Sequence, residues 1–76
     1  MYELQDILEL INENSIVIIY NEHQLRCGVY DGKECIPIEY DYCEVNDIFS
    51  DNWKLKSGET VSAIGIEINT EDGASV

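Results

Sequence analysis

Five consecutive residues, Ile16-Val17-Ile18-Ile19-Tyr20, leave no polar face with which this part of the chain could meet water. The four β-branched side chains are stiff at χ1 and pack well on a pleated surface, so the run reads as a strand. Strand side chains alternate between two faces, and a strand apolar on both faces belongs inside a sheet with cover on each side. The run is also the longest apolar stretch in the chain, far below the roughly 20 residues that cross a bilayer.

The residues before it follow a different period. Leu4, Ile7, Leu8 and Ile11 fall at i, i+3, i+4 and i+7, which predicts a helix over residues 3–12 with Leu10 widening its apolar stripe. Glu3, Asp6, Glu9 and Glu13 fall on the other side, and residues 12–15 end the helix with types that prefer caps and turns. Beyond Tyr20 the pattern stays β. Residues 21–24 form a polar turn, and residues 25–30 return as a strand with Leu25, Cys27 and Val29 on one face. Asp31-Gly32 is a hairpin signal, answered by a strand over 34–39 that Pro37 confines to a sheet edge. Residues 44–50 give a weaker strand. Residues 53–55, a turn at 56–59 and a strand over 60–68 form a last hairpin, with Ile64, Ile66 and Ile68 on one face. The tail, residues 70–76, is expected to fray. The predicted class is therefore α+β: a single small domain, 1–76, with one N-terminal helix packed on a twisted antiparallel sheet of four to five strands.

Charge narrows the function. Sixteen acids against four bases give −12 over 76 residues. A small domain needs a magnitude of only about 2 to 8 for solubility, and the surplus destabilises the compact state by self-repulsion. This balance excludes a nucleic-acid binder with a basic face and a polybasic membrane binder. So short a chain barely builds both a core and a pocket, so a complete enzyme is not expected. The first residues lack a basic n-region and a long apolar stretch, which predicts no secretion signal. Three cysteines cannot all pair within one chain, which points to a reducing cytoplasm.

Cys27, Cys35 and Cys43 are spaced eight apart, with His23 four residues before the first. Three thiols and an imidazole match a zinc ligand set in kind, but structural sites bring ligands in pairs two to four residues apart. Buried thiols acting as small hydrophobes are the plainer expectation, with zinc as the alternative. His23 falls in a turn with no nucleophile motif around it, and no calcium loop is present. No catalytic residue, cofactor or metal ligand is assigned.

The informative segment is residues 34–53. Glu34, Glu39, Asp41, Glu44, Asp47 and Asp51 stand there without a Lys or Arg, interleaved with Tyr40, Tyr42, Phe49 and Trp53. One reading is a solvated, solubilising face. The other is imitation of a nucleic-acid backbone, in which carboxylates satisfy guanidinium groups that otherwise grip phosphates and aromatic residues anchor the contact. The expected partner-binding residues are Glu34, Glu39, Tyr40, Asp41, Tyr42, Glu44, Asp47, Asp51 and Trp53.

In size, charge and patterning the chain resembles small acidic α+β proteins of phages and mobile elements, among them anti-CRISPR proteins and other DNA mimics, and its opening Tyr2 to Ile11, followed by Ser15 to Tyr20, is similar to the start of many short phage or gut-bacterial proteins. The resemblance implies an inhibitor of a host defence nuclease, working in the bacterial cytoplasm. Its partner would be a basic nucleic-acid-binding protein such as a CRISPR effector nuclease, with no direct contact to nucleic acid or membrane. Mimicry, conformational locking and dimerisation are all mechanisms found in such inhibitors. A second class also fits the residues: an adaptor or antitoxin-like module that binds a host protein, or a second copy of itself, through a sheet edge.

Overall fold

The computed structural model describes residues 2–70. One short helix, α1 (Leu4–Leu8), precedes four strands: β1 (Ile16–Tyr20), β2 (Arg26–Asp31), β3 (Glu44–Lys54) and β4 (Thr60–Asn69). The strands form one sheet in the order β2-β1-β4-β3. β1 is central, as its all-apolar run requires, and Val17, Ile18 and Ile19 are all buried. No helix among the described residues is long and apolar enough to cross a membrane.

The α+β class, the N-terminal helix and a sheet of four strands match the expectation, with one ladder of different sense. β2 pairs with β1 and β3 with β4 antiparallel, but β1 and β4 run parallel, Ile16 beside Ala63 through Tyr20 beside Glu67. The two most apolar strands share the centre of the sheet, the usual setting of a parallel pair.

α1 covers less of the sheet than its period suggests. The Asp6 carboxylate accepts the Glu3 N–H at its start (3.3 Å). Beyond Leu8 the winding tightens into bonds from Leu10 N–H to Ile7 C=O and from Ile11 N–H to Leu8 C=O. Lys33 Nζ also donates to the Leu8 carbonyl at 2.8 Å, satisfying an end group of the helix.

The remaining cover comes from residues expected to be a strand. Asp31-Gly32 makes no hairpin: Asp31 pairs back to Ile16, and Gly32, at φ 101°, turns the chain off the sheet while donating to the Ser15 carbonyl. Two single 3-10 turns follow, Lys33–Cys35 and Ile38–Tyr40. Pro37 therefore lies in the cover and marks no sheet edge; the edges are β2 and β3. The physical reason is the pattern, since Ile36, Tyr40 and Cys43 turn toward the core at i, i+4 and i+7 while Ile38 stays 81% exposed. A strand would have alternated them.

The core lies between this cover and one face of the sheet. Leu4, Ile7, Ile36 and Cys43 pack on Val17, Ile19, Ile66 and Ile68, with Tyr40, Val45 and Ile64 at the margin. The weaker strand expected over 44–50 and the short hairpin arm expected over 53–55 join in one continuous β3, bulged between Val45 and Asp47, and the last hairpin turns as expected at positive-φ Gly58. Thr70 is tied back by its N–H and Oγ1 to the Glu22 carboxylate (2.9 and 2.7 Å), while residues 71–76 of the expected frayed tail lie outside the described residues.

Candidate binding face

The face of the sheet opposite α1 is built by strand alternation. Val17 and Ile19 point into the core, so Ile16, Ile18 and Tyr20 point the other way. On β3 the residues of this face are Asp47, Phe49, Asp51 and Trp53, a strict alternation of acid and aromatic. Their partners on β4 are Glu67, Gly65, Ala63 and Val61. Gly65 is what lets the Phe49 ring lie flat against the sheet, because a Cβ there would collide with the ring.

Two ring contacts stand on this face. Tyr20 and Phe49 have ring centroids 5.4 Å apart, tilted by 41°. The Arg26 guanidinium sits 5.1 Å over the Trp53 ring, within the range of a cation–π contact. Tyr20 Oη donates to Asp51 Oδ2 at 2.6 Å, which fixes both side chains on the face. Tyr20, Gln24, Asp47, Phe49, Asp51 and Glu67 line a shallow depression of about 390 Å³. A second depression, about 350 Å³, lies toward the β3–β4 hairpin and includes Trp53, Lys54 and Lys56. Three carboxylates, Asp47, Asp51 and Glu67, thus line the first depression, while Lys54 and Lys56 line the second together with Asp31.

The structure divides the nine residues expected to bind a partner. Asp47, Asp51 and Trp53 meet on this open face. Glu34 and Glu39 are exposed in the two 3-10 turns, on the opposite layer, with Tyr42 exposed beside them. Asp41 is half-buried and its carbonyl accepts the Gln5 N–H at 3.1 Å. Tyr40 packs against the core, and Glu44 begins β3 opposite Asn69 and bridges to Glu3. Tyr20, Phe49 and Glu67 were not among the expected residues. The period-two pattern Asp47-x-Phe49-x-Asp51-x-Trp53 was the signal for Phe49, whereas Tyr20 and Glu67 join only through the pairing of β1 with β4.

The expectation of buried thiols holds for one of the three cysteines. Cys43 is buried in the core, but Cys27 and Cys35 are exposed, and none of the three is in a disulfide. Among the described residues no group of three or more His, Cys, Asp or Glu side chains is placed to hold a metal, so the zinc alternative has no site there.

The Tyr20 phenol is held above the ordinary tyrosine range, first by its bond to Asp51, then by burial and the Asp51 charge, with Arg26 opposing. Tyr30 and Tyr40 are raised mainly by burial. A raised phenol favours folding while it is neutral. The contribution is complete below the unfolded value of about 10 and is lost as the pH climbs through the higher folded value. Denaturant unfolding at neutral and strongly alkaline pH is expected to show this loss, and Tyr20→Phe should make it shallower. Parallel losses in the two proteins would mean that the Asp51 bond does not hold the phenol neutral.

Comparison with protein families, with characterised proteins and with solved structures gives no match for this chain. Fold and face together define its class as a small acidic α+β protein with an open, acid-and-aromatic sheet surface.

Proposed function

We propose that the protein is a non-enzymatic inhibitor that occupies the basic groove of a nucleic-acid-binding defence nuclease in the bacterial cytoplasm, in the manner of anti-CRISPR proteins. The observation that carries this reading is the alternation of Asp47, Phe49, Asp51 and Trp53 on the open face, with Glu67 beside Asp47. Carboxylates there meet Arg and Lys side chains as phosphates do, and guanidinium groups take them in bidentate pairs. Asp47 and Asp51, four residues apart on an extended strand, stand about 13 Å from each other. Phe49 and Trp53 add the apolar anchors that give an interface most of its affinity. A net charge of −12 steers encounter with a basic partner over longer range.

The test is displacement. Immobilised protein loaded with bacterial lysate is washed with duplex DNA or with rising salt. The retained partners are expected to be DNA-binding proteins that duplex DNA elutes, with retention falling roughly tenfold or more between 50 and 200 mM salt. Partners that neither DNA nor salt removes would overturn the reading.

A further inference from the structure

We propose that the free edge of β3 is a strand-addition site for an extended basic segment, gated by Asp47 and Asp51. β3 is an edge strand of 11 residues; among the described residues the N-terminal segment bridges its start, Val45 N–H donating to the Tyr2 carbonyl at 2.8 Å, and Asp47 to Lys54 pair with β4. The hairpin bond from Leu55 N–H to Glu59 C=O sets the alternation of the ladder. Odd-numbered residues from 47 to 53 turn their N–H and C=O toward β4, and Ile48, Ser50 and Asn52 turn theirs to the open edge. Two of these outward amides are already occupied: Ile48 N–H donates to Asp47 Oδ1 at 2.9 Å, and Asn52 N–H donates to Asp51 Oδ1 at 2.8 Å. Each carboxylate folds over the amide that follows it and blunts the edge.

An incoming strand must replace both carboxylates with its own carbonyls. The displaced carboxylates then face the new strand on the open side of the sheet, about 13 Å apart, with Phe49 between them. A neutral strand leaves them beside its carbonyl oxygens. A second copy of this chain brings two more such aspartates and another −12. A strand carrying Lys or Arg at positions i and i+4, and an apolar residue at i+2, supplies a cation for each freed carboxylate and an apolar partner for Phe49. Ligands of this site are accordingly extended segments of the pattern basic-x-apolar-x-basic. The inference rests on the basic-partner reading above and adds the mode of contact, main-chain pairing along β3.

The probe is a synthetic peptide, Thr-Lys-Thr-Val-Thr-Lys-Thr, followed through the amide resonances of the full chain. Two controls accompany it: the same peptide with Gln for both Lys, and one N-methylated on alternate backbone nitrogens. The Lys peptide is expected to shift and protect the Ile48, Ser50 and Asn52 amides, with both controls binding at least about tenfold more weakly. In the variant Asp47→Asn/Asp51→Asn, whose amides keep an oxygen acceptor, the Lys and Gln peptides should bind alike. Equal binding of the N-methylated peptide would overturn strand addition while leaving a basic partner in place. Equal binding of the Gln peptide to the native chain would remove the charge gate and weaken the basic-partner reading as well. Absence of binding at millimolar peptide, or concentration-dependent protection of these amides with no peptide present, would also overturn the inference, the latter because the occupant is then a second copy.

Discussion

Replacing Ile19 with alanine is expected to remove a large share of the protein's stability. Ile19 is fully buried in the core, between Gly28 of β2 and Ile66 of β4. Removing three of its carbons loses their transfer free energy and opens a cavity that β1, fixed on both sides, cannot close. Such changes cost about 2–5 kcal/mol. Domains hold about 0.05–0.15 kcal/mol per residue, so 76 residues give roughly 4–11 kcal/mol, and self-repulsion of a −12 globule pulls toward the lower end. A thermal melt should shift down by at least about 10 °C. Ile38→Ala, at a position 81% exposed in the cover, should change stability by no more than about 0.5 kcal/mol. Equal effects at the two positions would contradict the placement of the core.

That contrast also marks how far the sequence could be read. The run at 16–20 announced a central strand because nothing but burial on both faces satisfies five apolar residues in a row. The last hairpin and the Ile64, Ile66, Ile68 face were legible for the matching reason, period-two alternation beside a turn. Residues 34–39 misled because Asp-Gly and short apolar runs look alike in a hairpin and in a 3-10 cover. What decides there is tertiary: Gly32 bonding to Ser15, Lys33 reaching Leu8, and Ile36 finding the core. The parallel pairing of β1 with β4 was not legible, since a local pattern carries no information on strand order. The same gap limited the candidate site. Residues 34–53 form one acidic segment in the sequence, yet the fold sends Glu34 and Glu39 to one layer and Asp47, Asp51 and Trp53 to the other. Tyr20 and Glu67 come to the second group from strands read as unrelated.

The second large effect concerns charge on the open face. Reversing Asp47, Asp51 and Glu67 together to lysine changes the net charge by two units per site, from −12 to −6. Self-repulsion falls, which favours the fold. Against this, Tyr20 loses its acceptor, and the Ile48 and Asn52 amides lose theirs. Exposed and half-exposed bonds of this kind are worth about 0.5–1.5 kcal/mol each, so the chain is expected to stay folded, with unchanged far-ultraviolet circular dichroism. Affinity for a basic partner should fall far more than stability. Each attractive contact becomes a repulsive one, and like charges juxtaposed in an interface cost several kcal/mol, or more than about a hundredfold in binding. Reversing Glu34 and Glu39 changes the net charge in the same direction without touching the open face, and so separates a local contact from a general loss of negative charge.

Capture of a DNA-displaceable partner by three immobilised proteins is the most direct test: the native chain, the chain reversed at Asp47, Asp51 and Glu67, and the chain reversed at Glu34 and Glu39. If the open face is the contact surface, the native and Glu34/Glu39-reversed proteins retain the partner and the Asp47/Asp51/Glu67-reversed protein does not. Retention by the folded Asp47/Asp51/Glu67-reversed protein at the native level would contradict it.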